Sequence, residues 1–143
     1  MIVLDTDHVS ALQHRNSPAG DRLRAYLCET HAVRIAVTAI TLDEQCRGWL
    51  SRIRSCRNSV DQVPFYARLT SLFDFFSEWD ILPFDLAAAA EFERLKTQRP
   101  RLGAMDLKIA AVTLVHEAQL LSRNLRDFEQ IDGLAVEDWL TES

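Results

Sequence analysis

Apolar and polar positions along the chain alternate between two rhythms. Met1-Ile2-Val3-Leu4 is a short continuous apolar run closed by Asp5, and Arg34-Ile35-Ala36-Val37 is a second run of strand composition. Each passes directly into helix-type sequence. Ile81-Leu82 and Gln119-Leu120-Leu121 predict two further short strands. Between them the apolar residues take a helical period. Leu42, Cys46, Trp49, Leu50 and Ile53 form one stripe, and Phe65, Leu69, Leu72, Phe76 and Trp79 form another that begins after Pro64, a good first-turn residue. Asp85 can cap a third helix from Leu86 to about Lys96. The segment from Met105 to Glu117 is apolar nearly all round, which predicts a helix buried against the sheet. Strands alternating with helices imply an α/β fold, a parallel sheet covered on both faces.

The chain has 143 residues, enough for one compact domain, and no repeat or linker divides it. No apolar run approaches the roughly 20 residues that span a bilayer, and the N-terminus lacks the basic region of a signal peptide. Cys28, Cys46 and Cys56 make an odd count without Cys-x-x-Cys spacing, which predicts reduced thiols in a cytoplasmic protein.

Four acidic positions carry candidate chemistry. Ligands of parallel α/β sheets bind beyond the carboxyl ends of the strands, and Asp5 stands at such an end. Asp5 or Asp7 equally fits the cap of the following helix. Glu44 lies opposite the Leu42–Ile53 stripe at about 100° per residue, towards solvent or a cleft, with Gly48 leaving the same face open. Thr41-Leu42-Asp43-Glu44 also fits a capping box. Asp106 is the only acid between Leu102 and His116, on the helix expected to be buried, where a carboxylate needs a partner or a metal, although a purely structural first-turn Asp at a helix N-terminus fits as well. Asn124 and Asp127 follow the last strand, in a position that also suits a turn. Hard oxygen ligands without clustered His or Cys select Mg²⁺ or Mn²⁺, which can activate water and stabilise charge on a phosphate.

The net charge of −5 opposes a nucleic-acid partner, yet 14 of the 16 basic residues are arginine. They cluster as Arg47, Arg52, Arg54 and Arg57, and as Arg99 with Arg101. Solvated helix faces would explain them, and so would phosphate contacts. Arg47, Arg99 and Arg101 are the candidates for an RNA backbone.

Four segments together resemble the successive motifs of PIN domains, and more narrowly the VapC-type toxins of toxin–antitoxin pairs. They are Leu4-Asp5-Thr6-Asp7-His8-Val9-Ser10, Thr38 to Gly48 around Glu44, Gly103 to Ala111 around Asp106, and Ser122-Arg123-Asn124-Leu125-Arg126-Asp127-Phe128. The closing stretch from Ile131 to Trp139 matches as well. The resemblance implies a three-layer α/β/α sandwich with a parallel sheet of four or five short strands. It implies a Mg²⁺-dependent endoribonuclease, with Mn²⁺ as a possible substitute. Asp5, Glu44 and Asp106 carry over as metal-binding and catalytic carboxylates and Asp127 as a weaker fourth. Family members often place Asp where this chain has Asn124, and many have Thr at Ser122. Thr6 matches the hydroxyl residue that supports the first Asp. A cognate antitoxin and a homodimer are the implied protein partners. Tyr66, Phe73 and Phe75, flanking the Phe65–Trp79 stripe, offer either a groove or dimer surface or simply a broad core contact. Two alternatives remain: a degenerate PIN module that binds RNA or protein, and a haloacid-dehalogenase-type phosphatase with Asp5 as nucleophile and Asp7 as general acid. The second requires a suitably placed lysine, and Lys96 and Lys108 are the only two.

Overall fold

The computed structural model describes residues 1–14, 16–30 and 33–141. Five short strands, β1 (Ile2–Leu4), β2 (Ile35–Thr38), β3 (Asp80–Leu82), β4 (Gln119–Leu121) and β5 (Ala135–Glu137), form one sheet in the order β3-β2-β1-β4-β5. Every neighbouring pair is parallel: Ile2 stands opposite both Ile35 and Gln119, and Leu4 opposite Leu121. The fold class expected from the alternating pattern is the one observed.

Strand alternation decides what each face buries. Val3, Ala36, Leu82 and Leu120 point into one core with α5 (Leu86–Gln98) and α6 (Ala104–Val115). Ile2, Leu4, Val37 and Leu121 point into the other with α1 (Thr6–Gln13), α2 (Pro18–Glu29) and the end of α4 (Ser59–Phe76). The first helices are held by caps: Asp5 for α1, Ser17 for α2, and Thr38 for α3 (Ala39–Ser55). Asp85 caps α5 by accepting the Ala88 N–H at 3.0 Å, as its sequence position predicts. α7 (Leu125–Phe128) is one turn after β4 that sinks Phe128 into the core.

Some expectations need correction. α4 begins at Ser59 under an Asn58 cap, so Pro64 lies inside the helix and not in its first turn. The missing N–H of Pro64 falls on a turn exposed to water, which offsets the lost hydrogen bond. The cap of α3 is Thr38, three residues before the first residue of the proposed capping box, because the Thr38 hydroxyl accepts the Thr41 N–H. Thr41 therefore lies within the helix and Glu44 in its second turn, without a capping role. Phe75 packs against Phe76 and Trp79 as a core contact, while Tyr66 and Phe73 stay exposed on α4 with Val60 and Val63. Cys28, Cys46 and Cys56 are thiols. Among the described residues no helix is long and apolar enough to cross a membrane.

The crossing of α1 and α2 depends on Gly20. A Cβ there would stand 2.4 Å from the carbonyl oxygen of Ala11, well inside contact distance. Gly20→Ala should therefore cost about 1–3 kcal/mol of stability, read as a lower denaturation midpoint. An unchanged midpoint would mean that the two helices can separate without loss.

Candidate active site

β1 is the central strand, and the chain leaves it in two directions: to β2 and β3 on one side, to β4 and β5 on the other. The crevice beyond the carboxyl ends of β1 and β4 lies at this switch of direction. Asp5 is there. Its N–H donates to the Leu121 carbonyl at 2.9 Å and prolongs the ladder, while its own carboxylate starts α1. Oδ1 accepts the Thr6 N–H at 2.8 Å, and Oδ2 accepts the Ser122 hydroxyl at 2.6 Å. Asp5 is only 6% exposed and Ser122 is fully buried. Burial pushes the Asp5 carboxyl up to about 6; the Ser122 and Thr6 hydrogen bonds oppose that rise, and the charges of Asp7 and Asp106 add to it.

Asp106 occupies the first turn of α6, which has no side-chain cap. It is half-buried, so the expectation of a deeply buried carboxylate on this helix is corrected: the deepest acid is Asp5. The reason is that Asp106 sits at the open end of α6, whereas Ile109 to Thr113 are the residues beneath the sheet. Partial burial raises the Asp106 carboxyl, the Asp127 charge raises it further, and a hydrogen bond from Asn124 opposes both. The Asn124 side-chain amide donates to Asp106 Oδ2 and to Asp127 Oδ2, each at 3.2 Å. Its backbone N–H donates to the Ser122 hydroxyl at 3.0 Å. Asn124 thus links two carboxylates, a role that needs its NH₂ group and that a turn residue would not have.

Glu44 joins from α3. Its Oε1 accepts the Thr6 hydroxyl at 3.2 Å, and Thr6 also meets the Thr41 hydroxyl at 3.1 Å. Desolvation raises the Glu44 carboxyl, the Thr6 hydrogen bond lowers it and the Asp106 charge raises it. Thr41 was not legible as a site residue; its fully buried hydroxyl beside Thr6 is a product of the α1–α3 contact. Asp7, considered above only as a cap or as the acid of a different reaction, also stands at this site. Its carboxylate accepts the Arg123 N–H at 2.9 Å. The signal for it was available, a second acid two residues after Asp5.

Asp5, Glu44, Asp106 and Asp127 form no ion pair among the described residues, although the arginines are close in sequence. Arg47 instead pairs with Asp43, its Nη2 2.6 Å from Oδ2. Arg99 donates to the Gln130 carbonyl at 2.8 Å, and Arg101 is exposed. Arg99 and Arg101 make no ion pair with the four acids among the described residues, whereas Arg47, although paired with Asp43, lies close enough to Glu44 for its charge to lower that carboxyl. The lysines lie elsewhere too: Lys108 is 5.6 Å from the Phe84 ring centroid and Lys96 is 5.7 Å from that of Phe92.

The donor set is made of hard oxygens, and burial together with mutual proximity disfavours ionisation of Asp5, Glu44 and Asp106 alike. A divalent cation fits such a set because its charge relieves both effects. Among the described residues the acids do not stand as a closed set of three ligands; hydroxyl and amide hydrogen bonds connect them instead.

Comparison with known proteins bears on the family. The PIN domain model matches residues 2–134. The chain is 30% identical over 111 residues to Ribonuclease VapC1 of Rickettsia felis, covering 75% of this chain and 78% of that one. It is 27% identical over 141 residues to the tRNA(fMet)-specific endonuclease VapC of Shigella flexneri, covering 96% of each. Among solved structures it is similar to VapBC2 of Rickettsia felis bound to a DNA fragment from their promoter. There the TM-score is 0.72 at 22% identity, with 97% of this chain and 99% of that one covered.

The raised Asp5 carboxyl sets a pH dependence. The folded protein binds this proton more tightly than the unfolded chain does, so Asp5's contribution to stability is fully present below 3.8. It is lost as pH rises through about 6. Asp5→Asn should be nearly neutral near pH 4 and stabilising by about 2 kcal/mol at pH 7, in denaturant unfolding with a chelator present. A stability difference that does not change with pH would contradict the burial argument.

Proposed function

The chain belongs to the PIN-domain family, in its VapC-type group, and on that premise we propose that it is a Mg²⁺-dependent endoribonuclease, the toxin of a toxin–antitoxin pair. The observation that carries this reading is the hydrogen-bond network that ties Asp5, Glu44, Asp106 and Asp127 together at the β1/β4 crevice through Thr6, Ser122 and Asn124, with no ion pair to any of the four among the described residues. Asp5, Glu44 and Asp106 would hold the ion, Mg²⁺ or Mn²⁺, with Asp127 at the edge of the set. The ion, when bound, supplies water activation and charge stabilisation at the scissile phosphate. The chain's own residues orient the ligands. Ser122 and the Thr6 N–H fix both oxygens of Asp5, the Thr6 hydroxyl holds Glu44, and Asn124 keeps Asp106 and Asp127 facing one another's side of the crevice.

RNA is the proposed substrate, which places the activity in the cytoplasm. Arg101, and Arg47 and Arg99 once released from Asp43 and the Gln130 carbonyl, are proposed to contact its backbone. A cognate antitoxin and a second copy of the chain are the proposed protein partners, with the exposed Val60, Val63, Tyr66 and Phe73 of α4 as a candidate contact surface. The phosphatase alternative is not favoured: both lysines lie over phenylalanine rings, and the similar proteins are nucleases.

Purified protein should cleave single-stranded RNA with Mg²⁺ or Mn²⁺ and stop when EDTA is added. Asp5→Ala and Asp106→Ala should reduce the rate by more than the roughly 10–100-fold typical of residues that only support a metal site. Asp127→Ala should fall within that range. The same Asp5→Ala change should abolish growth arrest on expression. Cleavage that survives chelation, or that persists in Asp5→Ala, would sink the proposal. Metal-dependent calorimetric signals absent from the wild type would instead favour the degenerate binding module.

A further inference from the structure

Residues 122–124 supply three successive donors to the acidic centre, and the middle one serves an acid that the proposed metal set leaves out. Ser122 donates through its hydroxyl to Asp5, and Asn124 through its amide to Asp106 and Asp127. Between them, the Arg123 N–H donates to Asp7 Oδ2 at 2.9 Å. The other oxygen, Asp7 Oδ1, is 2.7 Å from His8 Nδ1. Both oxygens are thus fixed, and neither caps α1, because Asp5 has that role.

His8 is fully buried, and its tautomer follows from its neighbours. Nε2 accepts the Trp139 N–H at 3.2 Å, which leaves the proton on Nδ1 to be donated to Asp7. The acceptor side is anchored in turn. Asp138 Oδ1 accepts the N–H groups of Leu140 and Thr141 at 2.8 and 3.2 Å, and Leu140 is buried in the core. The imidazole therefore has one orientation, set by the turn at residues 138–141, and it holds the carboxylate of Asp7 in one place. A first-turn acid with only a helix-dipole role would need none of these contacts.

We propose that Asp7 is a further carboxylate of the cation site, acting beside Asp5 and Asp106 from its outer side, and that buried His8 is the positioning residue that aims it. The inference rests on the metal-site reading above. Asp7 adds a negative charge close enough to influence both Asp5 and Asp106, and such a group strengthens the attraction for a divalent cation.

The test is calorimetric titration of the full-length protein with Mn²⁺, alongside thermal unfolding in EDTA. Asp7→Asn keeps the shape and removes the charge, and should weaken Mn²⁺ binding about tenfold while the protein remains folded. Two substitutions divide the work of His8. Asn at position 8 retains a donor near the place of Nδ1, and Gln retains an acceptor near that of Nε2. His8→Gln should lose affinity as Asp7→Asn does, and His8→Asn should retain most of it. In the Asp7→Asn background His8→Gln should cause no further loss. Unchanged affinity in Asp7→Asn overturns the inference and leaves the metal-site reading intact. Equal losses in the two His8 variants, or losses additive with Asp7→Asn, overturn the positioning role. A wild type that binds no Mn²⁺ overturns both readings. Should either His8 variant fail to fold, Asp7→Asn alone decides the role of Asp7.

Discussion

The hydrogen bond from the Ser122 hydroxyl to Asp5 joins the two central strands of the sheet at the point where they end. A carboxylate as deeply buried as Asp5 is unfavourable in its ionised form, and only donors fixed by the fold reduce that cost. Ser122 can be such a donor because β1 and β4 are adjacent and in register, Leu4 beside Leu121. The parallel pairing therefore precedes the site. The site in turn limits what the sequence can place at position 122, since its hydroxyl also accepts the Asn124 N–H. One side chain thereby connects the buried acid to the loop that carries the remaining polar groups.

From that junction the other carboxylates are arranged by elements that converge on the crevice. α1 leaves with Thr6, whose backbone serves Asp5 and whose hydroxyl serves Glu44 on α3. α6 enters with Asp106 in its first turn, and α7 with Asp127. All three acids proposed as ligands have their carboxyl groups raised by desolvation, and each also feels at least one neighbouring acid. Such an arrangement is poor for the stability of the chain alone and well suited to attracting a divalent cation. The overall charge of −5 and the acidic crevice agree with each other, and Arg47 and Arg99 are engaged by Asp43 and the Gln130 carbonyl.

Much of the fold was legible because its signals are local. The run at β4 coincides with the observed strand, and α5 starts where Asp85 said it would. The misreadings have local causes too. Pro64 reads as a helix start because a proline is a strong boundary signal in sequence, but Asn58 caps the helix and its exposed first turns tolerate the missing donor. The capping box at Thr41 was a plausible pattern overridden by Thr38, whose place at the end of β2 only becomes a cap once the strand is formed. β5 has a single partly buried residue, Val136, between exposed ones, so its apolar pattern is nearly empty.

The sequence by itself determined four of the five strands and the helices between them, and it offered Asp5, Glu44, Asp106 and Asp127 as candidate acids. The elements follow from periodicity, capping and composition, which act over a few residues, while Glu44 and Asp127 as members of the acid set rest on the resemblance to PIN domains. Tertiary structure alone decided which of the acids is deepest, and that Asn124 connects Asp106 to Asp127. It also decided that Asp7 is held between the Arg123 N–H and the buried His8. Each of these depends on contacts between residues far apart in the chain, such as Asp5 with Ser122 and His8 with Trp139. Burial and hydrogen-bond partnership are properties of the packed sheet and its helices, and no short window of sequence contains them.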